Sequence, residues 1–193
     1  MLSNEKFIFE TEVSDNIHRE GMSELMKWLE EKTDFYGCPA STRFHGACES
    51  GLLKHSLSVF NNFWKIAPLY NFPEGDGVAR ESAAICCLFH DLCKANTYQI
   101  SFRNIKNEET GLWERAPYYT INEQLPYGSH GAKSVYLLQN FIKLKPEEAM
   151  AIHNHMGAYN NGIYEKPADA YNYSKLAWLV HAADEAATFI DKE

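Results

Sequence analysis

The chain has 193 residues, 45% of them hydrophobic, enough for one well-buried core and short for two, so a single domain over residues 1–193 is expected. A formal net charge of −8 argues against an extended nucleic-acid surface, because non-specific affinity comes mainly from neutralised phosphates. The opening "MLSNEKFIFETEVSD" is mixed and acidic, and no apolar run approaches the roughly 18 residues a membrane span needs, so a soluble, cytoplasmic protein without a membrane partner is expected.

Most segments read as helix. Residues 1–40 form a helical extension ahead of a core over 41–191, and within it "GMSELMKWLEEK" (21–32) carries an apolar stripe at Met22, Leu25, Met26 and Leu29. "GLLKHSLSVFNNFWKIA" (51–67) repeats that spacing through Leu52, His55, Val59 and Phe63. "GVARESAAICCLFHDLCK" (77–94) is apolar on nearly every face, which predicts a central helix. "YQISFRNIKNEETGLWERAPYYTIN" (98–122) breaks the pattern: aromatic and β-branched residues alternate with polar ones on both sides of "NEETG", predicting a β-hairpin inserted between helices. It either covers core or sets Phe102, Arg103, Trp113 or Arg115 over a site as a lid or base-stacking surface. Helices follow at 131–142, at 146–156 with proline and two glutamates at its start, and at 173–190. The all-α class with one hairpin is the expected architecture.

Five cysteines, Cys38, Cys48, Cys86, Cys87 and Cys93, are an odd number without a CxxC pair and read as reduced, packed thiols. The histidines carry more information. There are eight, and any one is more often a core or surface residue than a ligand, but their order is informative. His55 lies in the first long helix, the doublet His90-Asp91 ends the next, and Asp184 lies inside the last. A carboxylate beside an imidazole at the end of an apolar run costs several kcal/mol unless compensated, and nothing else nearby is expected to neutralise Asp91. Those four N and O donors suit a divalent cation: Mn, Fe, Zn, Ni or Co, with Mg possible where carboxylate and water dominate.

"GLLKHS" with His55, "HDLCK" with His90, Asp91 and Lys94, "GSHGAKS" with His130, "IHNHMG" with His155 and "HAADEA" with Asp184 together resemble the HD superfamily of metal-dependent phosphohydrolases, over all but the first 40 residues. The pattern is most similar to the branch containing 3′→5′ exoribonucleases and cyclic-dinucleotide phosphodiesterases, in which a histidine stands about ten residues before the first ligand, as His45 does here. That branch's central S-H-H-G motif appears as N-H-M-G, with Met156 where a second histidine is usual. His153 is the candidate replacement, but two residues from His155 on a helix it points roughly 200° away, so both serve only if the helix ends there, for which Gly157 is suited.

The resemblance implies an all-helical HD bundle with one or two divalent ions per chain. Water bound to the first ion would lose much of its pKa and attack phosphorus, with Asp91 orienting it or, if it bridges, touching a second ion as well. Lys94, one turn on if the helix continues, would meet the phosphate charge; the alternative is an exposed lysine at a helix C-terminus. His130 and His155, with His153, are candidates for a second ion or for phosphate. Arg43 and His45 are candidates for substrate, the alternative for Arg43 being a surface arginine, and His181, three residues before Asp184, either orients that aspartate or packs. The implied substrate is a phosphate ester or anhydride of a nucleotide or of an oligonucleotide end. The alternatives are a 3′→5′ exoribonuclease on longer strands, or a metal-stabilised module that binds a nucleotide without cleaving it. Oligomeric state is not written in the spacing.

Overall fold

A computed structural model describes residues 4–73, 75–122, 128–157 and 166–191. The other positions of the expected 1–193 domain lie outside the described residues. The protein is mostly helical: eight α-helices and one two-stranded antiparallel sheet stand among the described residues. The order is α1 (Asn4–Asn16), α2 (Met22–Lys32), α3 (Gly51–Ile66), α4 (Gly77–Phe89), β1 (Tyr98–Lys106), β2 (Trp113–Ile121), α5 (His130–Gln139), α6 (Pro146–His153), α7 (Pro167–Tyr173) and α8 (Lys175–Ala186). No described helix is long and apolar enough to cross a membrane.

The centre is α4. Asp76 caps it, its side chain accepting from the Val78 and Ala79 amides at 2.9 and 3.4 Å. From Ser82 to Phe89 every residue is buried, because α1, α3, α6 and α8 all pack on it. A helix covered on all sides has no polar face to show in its sequence, which is why "AAICCLF" has none. Phe9 of α1 meets the Phe89 ring edge-on at 5.5 Å, and both are fully buried, each side chain contributing about 2–3 kcal/mol of transfer free energy. One hydrophobic cluster runs from Phe9 to Ala187.

The helix expected over 77–94 stops at Phe89. His90 and Asp91 form a turn, and Leu92–Lys94 makes a short 3₁₀ segment. The helices expected over 131–142 and 146–156 end at Gln139 and His153. The last begins at Lys175, after a short α7 that its polar sequence "PADAYNY" did not announce, and runs into a π-helical turn over Ala187–Asp191. Four of the cysteines are buried thiols as expected; Cys48 is exposed, since it sits in the irregular loop before α3.

Polar groups tie the segment between α1 and α2 to α4 and α6. Glu148, fully buried on α6, accepts two bonds from the Arg19 guanidinium at 2.8 and 2.9 Å, one from the Ser82 hydroxyl at 2.7 Å and one from the Lys145 amide at 2.7 Å. Arg19 also reaches Glu81 at 2.7 Å and the Lys143 carbonyl at 2.9 Å.

The hairpin forms where expected. Tyr98 pairs with Ile121 and Lys106 with Trp113, and the Asn107 side chain closes the connecting loop by accepting from the Glu109 and Thr110 amides. The strands contact each other far more than any helix.

Candidate metal centre

Four separate segments bring the ligand candidates to one place. His55 comes from α3, His90 and Asp91 from the turn after α4, His155 from the turn after α6, and Asp184 from α8. All five are buried. His55 Nε2 lies 3.0 Å from Asp184 Oδ1, 3.2 Å from His90 Nε2 and 3.6 Å from Asp91 Oδ2. His90 Nε2 lies 3.4 Å from Asp91 Oδ2 and 3.8 Å from Asp184 Oδ1. Donors sharing one ion at roughly 2.1 Å stand roughly 3.0–3.4 Å apart, depending on the angle between them. The observed spacings cluster around that range.

The tautomers fit a cation. A carbonyl oxygen can only accept, so His90 Nδ1–H donates to the Cys87 carbonyl at 2.9 Å and His155 Nδ1–H to the Ile152 carbonyl at 2.7 Å. Burial disfavours protonation of His90, but Asp91 and Asp184 outweigh it and raise its pKa; deprotonated, as a bound cation requires, each ring turns an Nε2 lone pair inward. His155 Nε2 is buried, 3.4 Å from Asp91 Oδ1, and has no hydrogen-bond partner of good geometry among the described residues. Such an orphaned atom costs about 1–3 kcal/mol, which a cation would relieve. His90, His155 and Asp184 form one possible ligand group and His55, His90 and Asp91 another, sharing His90. These buried groups are therefore positioned to hold a metal ion.

Charge is balanced more fully than expected. Lys94 is buried, not exposed, and its Nζ stands 2.5 Å from Asp91 Oδ2. The 3₁₀ segment, in place of a continuing helix, brings the two together. Asp91 thus has a neutralising neighbour that its sequence context did not promise. Burial pushes Asp91 up, but Lys94 and His90 outweigh it and hold the carboxyl well below its ordinary range. Burial likewise disfavours the Lys94 ammonium, and Asp91 reverses the effect, raising it. Asp184 is held down against burial by the His55 hydrogen bond and by His90. Burial is the main cause that lowers His55, so its imidazole is neutral at pH 7.

The other candidates separate. His45 packs its ring on that of His55 at 4.8 Å, its Nε2 is buried without a hydrogen-bond partner among the described residues, and burial brings it down to about 4. His130, at the start of α5, places Nδ1 3.8 Å from Cys93 Sγ, and Cys93 Sγ is 3.9 Å from Asp91 Oδ1. That trio is a third possible ligand group, so Cys93, read from the sequence only as a packed thiol, belongs to the site. Its position two residues after Asp91 was the available signal. His153 ends α6, half-buried, and takes no part in the converging groups among the described residues. Arg43 is exposed on the loop that carries His45.

Of the two roles expected for His181, orienting Asp184 or packing, its described contacts are those of packing. Its Nδ1–H donates to the His155 carbonyl at 2.6 Å, and its ring stacks on Tyr171 at 5.2 Å, so it braces the turn that presents His155. Gly157 makes room for it: φ is +54°, and a Cβ there would stand 2.5 Å from His181 Cε1. Gly157→Ala is expected to destabilise the protein by about 1–3 kcal/mol in denaturant melts, through left-handed strain and overpacking. It is also expected to weaken metal binding, measured by titration, because the ring that moves holds the His155 turn. Lys54, next to His55 in sequence, lines a cleft of about 750 Å³ on the flank of α3 together with Lys65 and Asp191.

No family model, curated protein or solved structure matches this chain.

Proposed function

We propose that the protein is a metal-dependent phosphohydrolase of the HD type, acting on a phosphate ester or anhydride of a nucleotide or an oligonucleotide end. The observation that carries the reading is the convergence of His55, His90, Asp91, His155 and Asp184, from four distant segments, in two overlapping buried ligand groups that share His90. A divalent cation bound there would supply Lewis acidity and lower the pKa of a bound water toward neutrality.

The chain's own groups supply the rest. Asp91 and Asp184 are ionised at neutral pH, so both accept and neither donates. Asp91 can hold a water by one proton and leave an oxygen lone pair directed at phosphorus. Lys94 stays protonated within reach of Asp91, and a phosphate oxygen arriving beside it meets a compact cation already paid for by the fold. His45 and His130 flank the cluster from the loop before α3 and from the start of α5, and can donate to phosphate oxygens as neutral imidazoles.

The test is metal analysis and turnover of wild type beside Asp184→Asn, against nucleotides and short oligonucleotides with Mn²⁺ supplied. The wild type is expected to hold metal and to turn over; the variant is expected to lose at least about 100-fold in turnover, beyond the usual effect of an outer-shell change. Thermal melts of both report folding. A folded wild type that takes up no divalent ion when supplied would overturn the proposal.

A further inference from the structure

The hairpin's register sorts its side chains into two unlike faces. Residues directly opposite one another share a face, so Tyr98, Ile100, Phe102, Asn104 and Lys106 lie with Ile121, Tyr119, Pro117, Arg115 and Trp113. The other face carries Gln99, Ser101, Arg103 and Ile105 with Thr120, Tyr118, Ala116 and Glu114. The first face is aromatic and exclusively basic, in a chain whose net charge is −8. Phe102 is 51% and Trp113 70% exposed, so the hairpin does not use them to cover core. The Arg115 guanidinium lies over the Phe102 ring at 4.4 Å.

This face is rooted at the metal centre. β1 begins four residues after Lys94, and Thr97, between them, donates its hydroxyl to the Cys93 carbonyl at 2.8 Å and accepts from Lys133 at 3.0 Å. Tyr98, on the aromatic face, donates its hydroxyl to the Ala40 carbonyl at 3.3 Å. Ala40 is bonded in turn to Gly46, closing the loop that lays His45 on His55.

We propose that this face binds the end of a single-stranded nucleic acid, stacking bases on Phe102 and Trp113 and neutralising phosphates with Lys106 and Arg115, and leads it to the metal centre. The proposal rests on the hydrolase reading for where the strand goes, but not for whether it binds. Rings interleaved with cations suit a strand whose bases are unpaired, because every base has a face to stack while its phosphates need positive charge. A second copy of the chain is the poorer occupant, since packing this face on itself would set Lys106 and Arg115 against further positive charge. Two aromatic platforms hold only a few nucleotides, in keeping with an otherwise acidic chain.

Fluorescence anisotropy with labelled single strands of roughly 12 nucleotides, RNA and DNA, in the presence of a chelator, tests binding apart from turnover. Wild type is expected to bind single strands in preference to a duplex of the same length. The variant Phe102→Ala/Trp113→Ala is expected to bind at least tenfold more weakly, with unchanged thermal melting because both side chains are exposed. Lys106→Gln/Arg115→Gln is expected to reduce the salt slope of log affinity by roughly 1.4, for two phosphate contacts on a single strand. Equal affinity of wild type and the aromatic variant, or turnover of small phosphate esters without strand binding, would overturn the proposal. So would a wild-type dimer in sedimentation that Trp113→Ala dissolves. Strand binding without turnover under Mn²⁺ would support it while removing the hydrolase reading.

Discussion

Asp91→Ala is expected to remove metal binding and turnover together and to destabilise the protein by about 3–5 kcal/mol, because Lys94 is left buried and unpaired. The two consequences have different physical origins and separate in a double variant. Asp91→Ala/Lys94→Met removes both charges, so most of the lost stability is expected to return, while metal content and turnover stay lost. Denaturant melts of the four proteins of that cycle, run with chelator, give the coupling energy between the two residues. With metal at about 100 times its dissociation constant the wild type is expected to gain about 2.7 kcal/mol, and both Asp91 variants nothing. Full turnover in either variant would show that Asp91 serves only the charge pair.

Glu148 governs the second large effect, and it lies on stability alone. Glu148→Gln keeps the shape of the side chain but leaves the Arg19 guanidinium with only Glu81 to balance it, at an expected cost of about 3–5 kcal/mol at pH 7. Burial pushes the Glu148 carboxyl up, but the bonds from Arg19, the Lys145 amide and Ser82 outweigh it, so its folded pKa lies below the unfolded value. A depressed carboxylate contributes stability that is fully present above the unfolded pKa, about 4.3 for glutamate, and is lost as pH falls through the folded one. Wild type should therefore lose stability steeply below about pH 4, and Glu148→Gln should show a flatter acid limb from a lower plateau. Parallel acid limbs in urea melts across that window would show that other carboxylates carry the transition.

Helices were legible where burial on one face leaves a period in the sequence. α2 shows it at Met22, Leu25 and Leu29, whereas the hairpin was legible from its alternating residue types although both strands are largely exposed. α1 and α7 were hard to read for the opposite reason: neither "NEKFIFETEVSDN" nor "PADAYNY" has a clean apolar stripe. Helix ends were the weakest part. Where α4 stops was hidden because Leu92 and Cys93 keep an apolar pair beyond Phe89 and the whole stretch to Lys94 is buried.

What the sequence by itself determined is the set of donors, His55, His90, Asp91 and Asp184, with the helical class and the hairpin, because residue type and spacing are local properties. Only the tertiary structure decided which neighbours complete the set. Lys94 reaches Asp91, three residues away, because α4 gives way to the 3₁₀ segment. The turn at Gly157 that lets His181 brace His155 and the approach of Cys93 to His130 depend instead on where backbones separated by tens of residues come to lie. Contacts of that kind are set by close packing of the whole core, which no window of sequence contains.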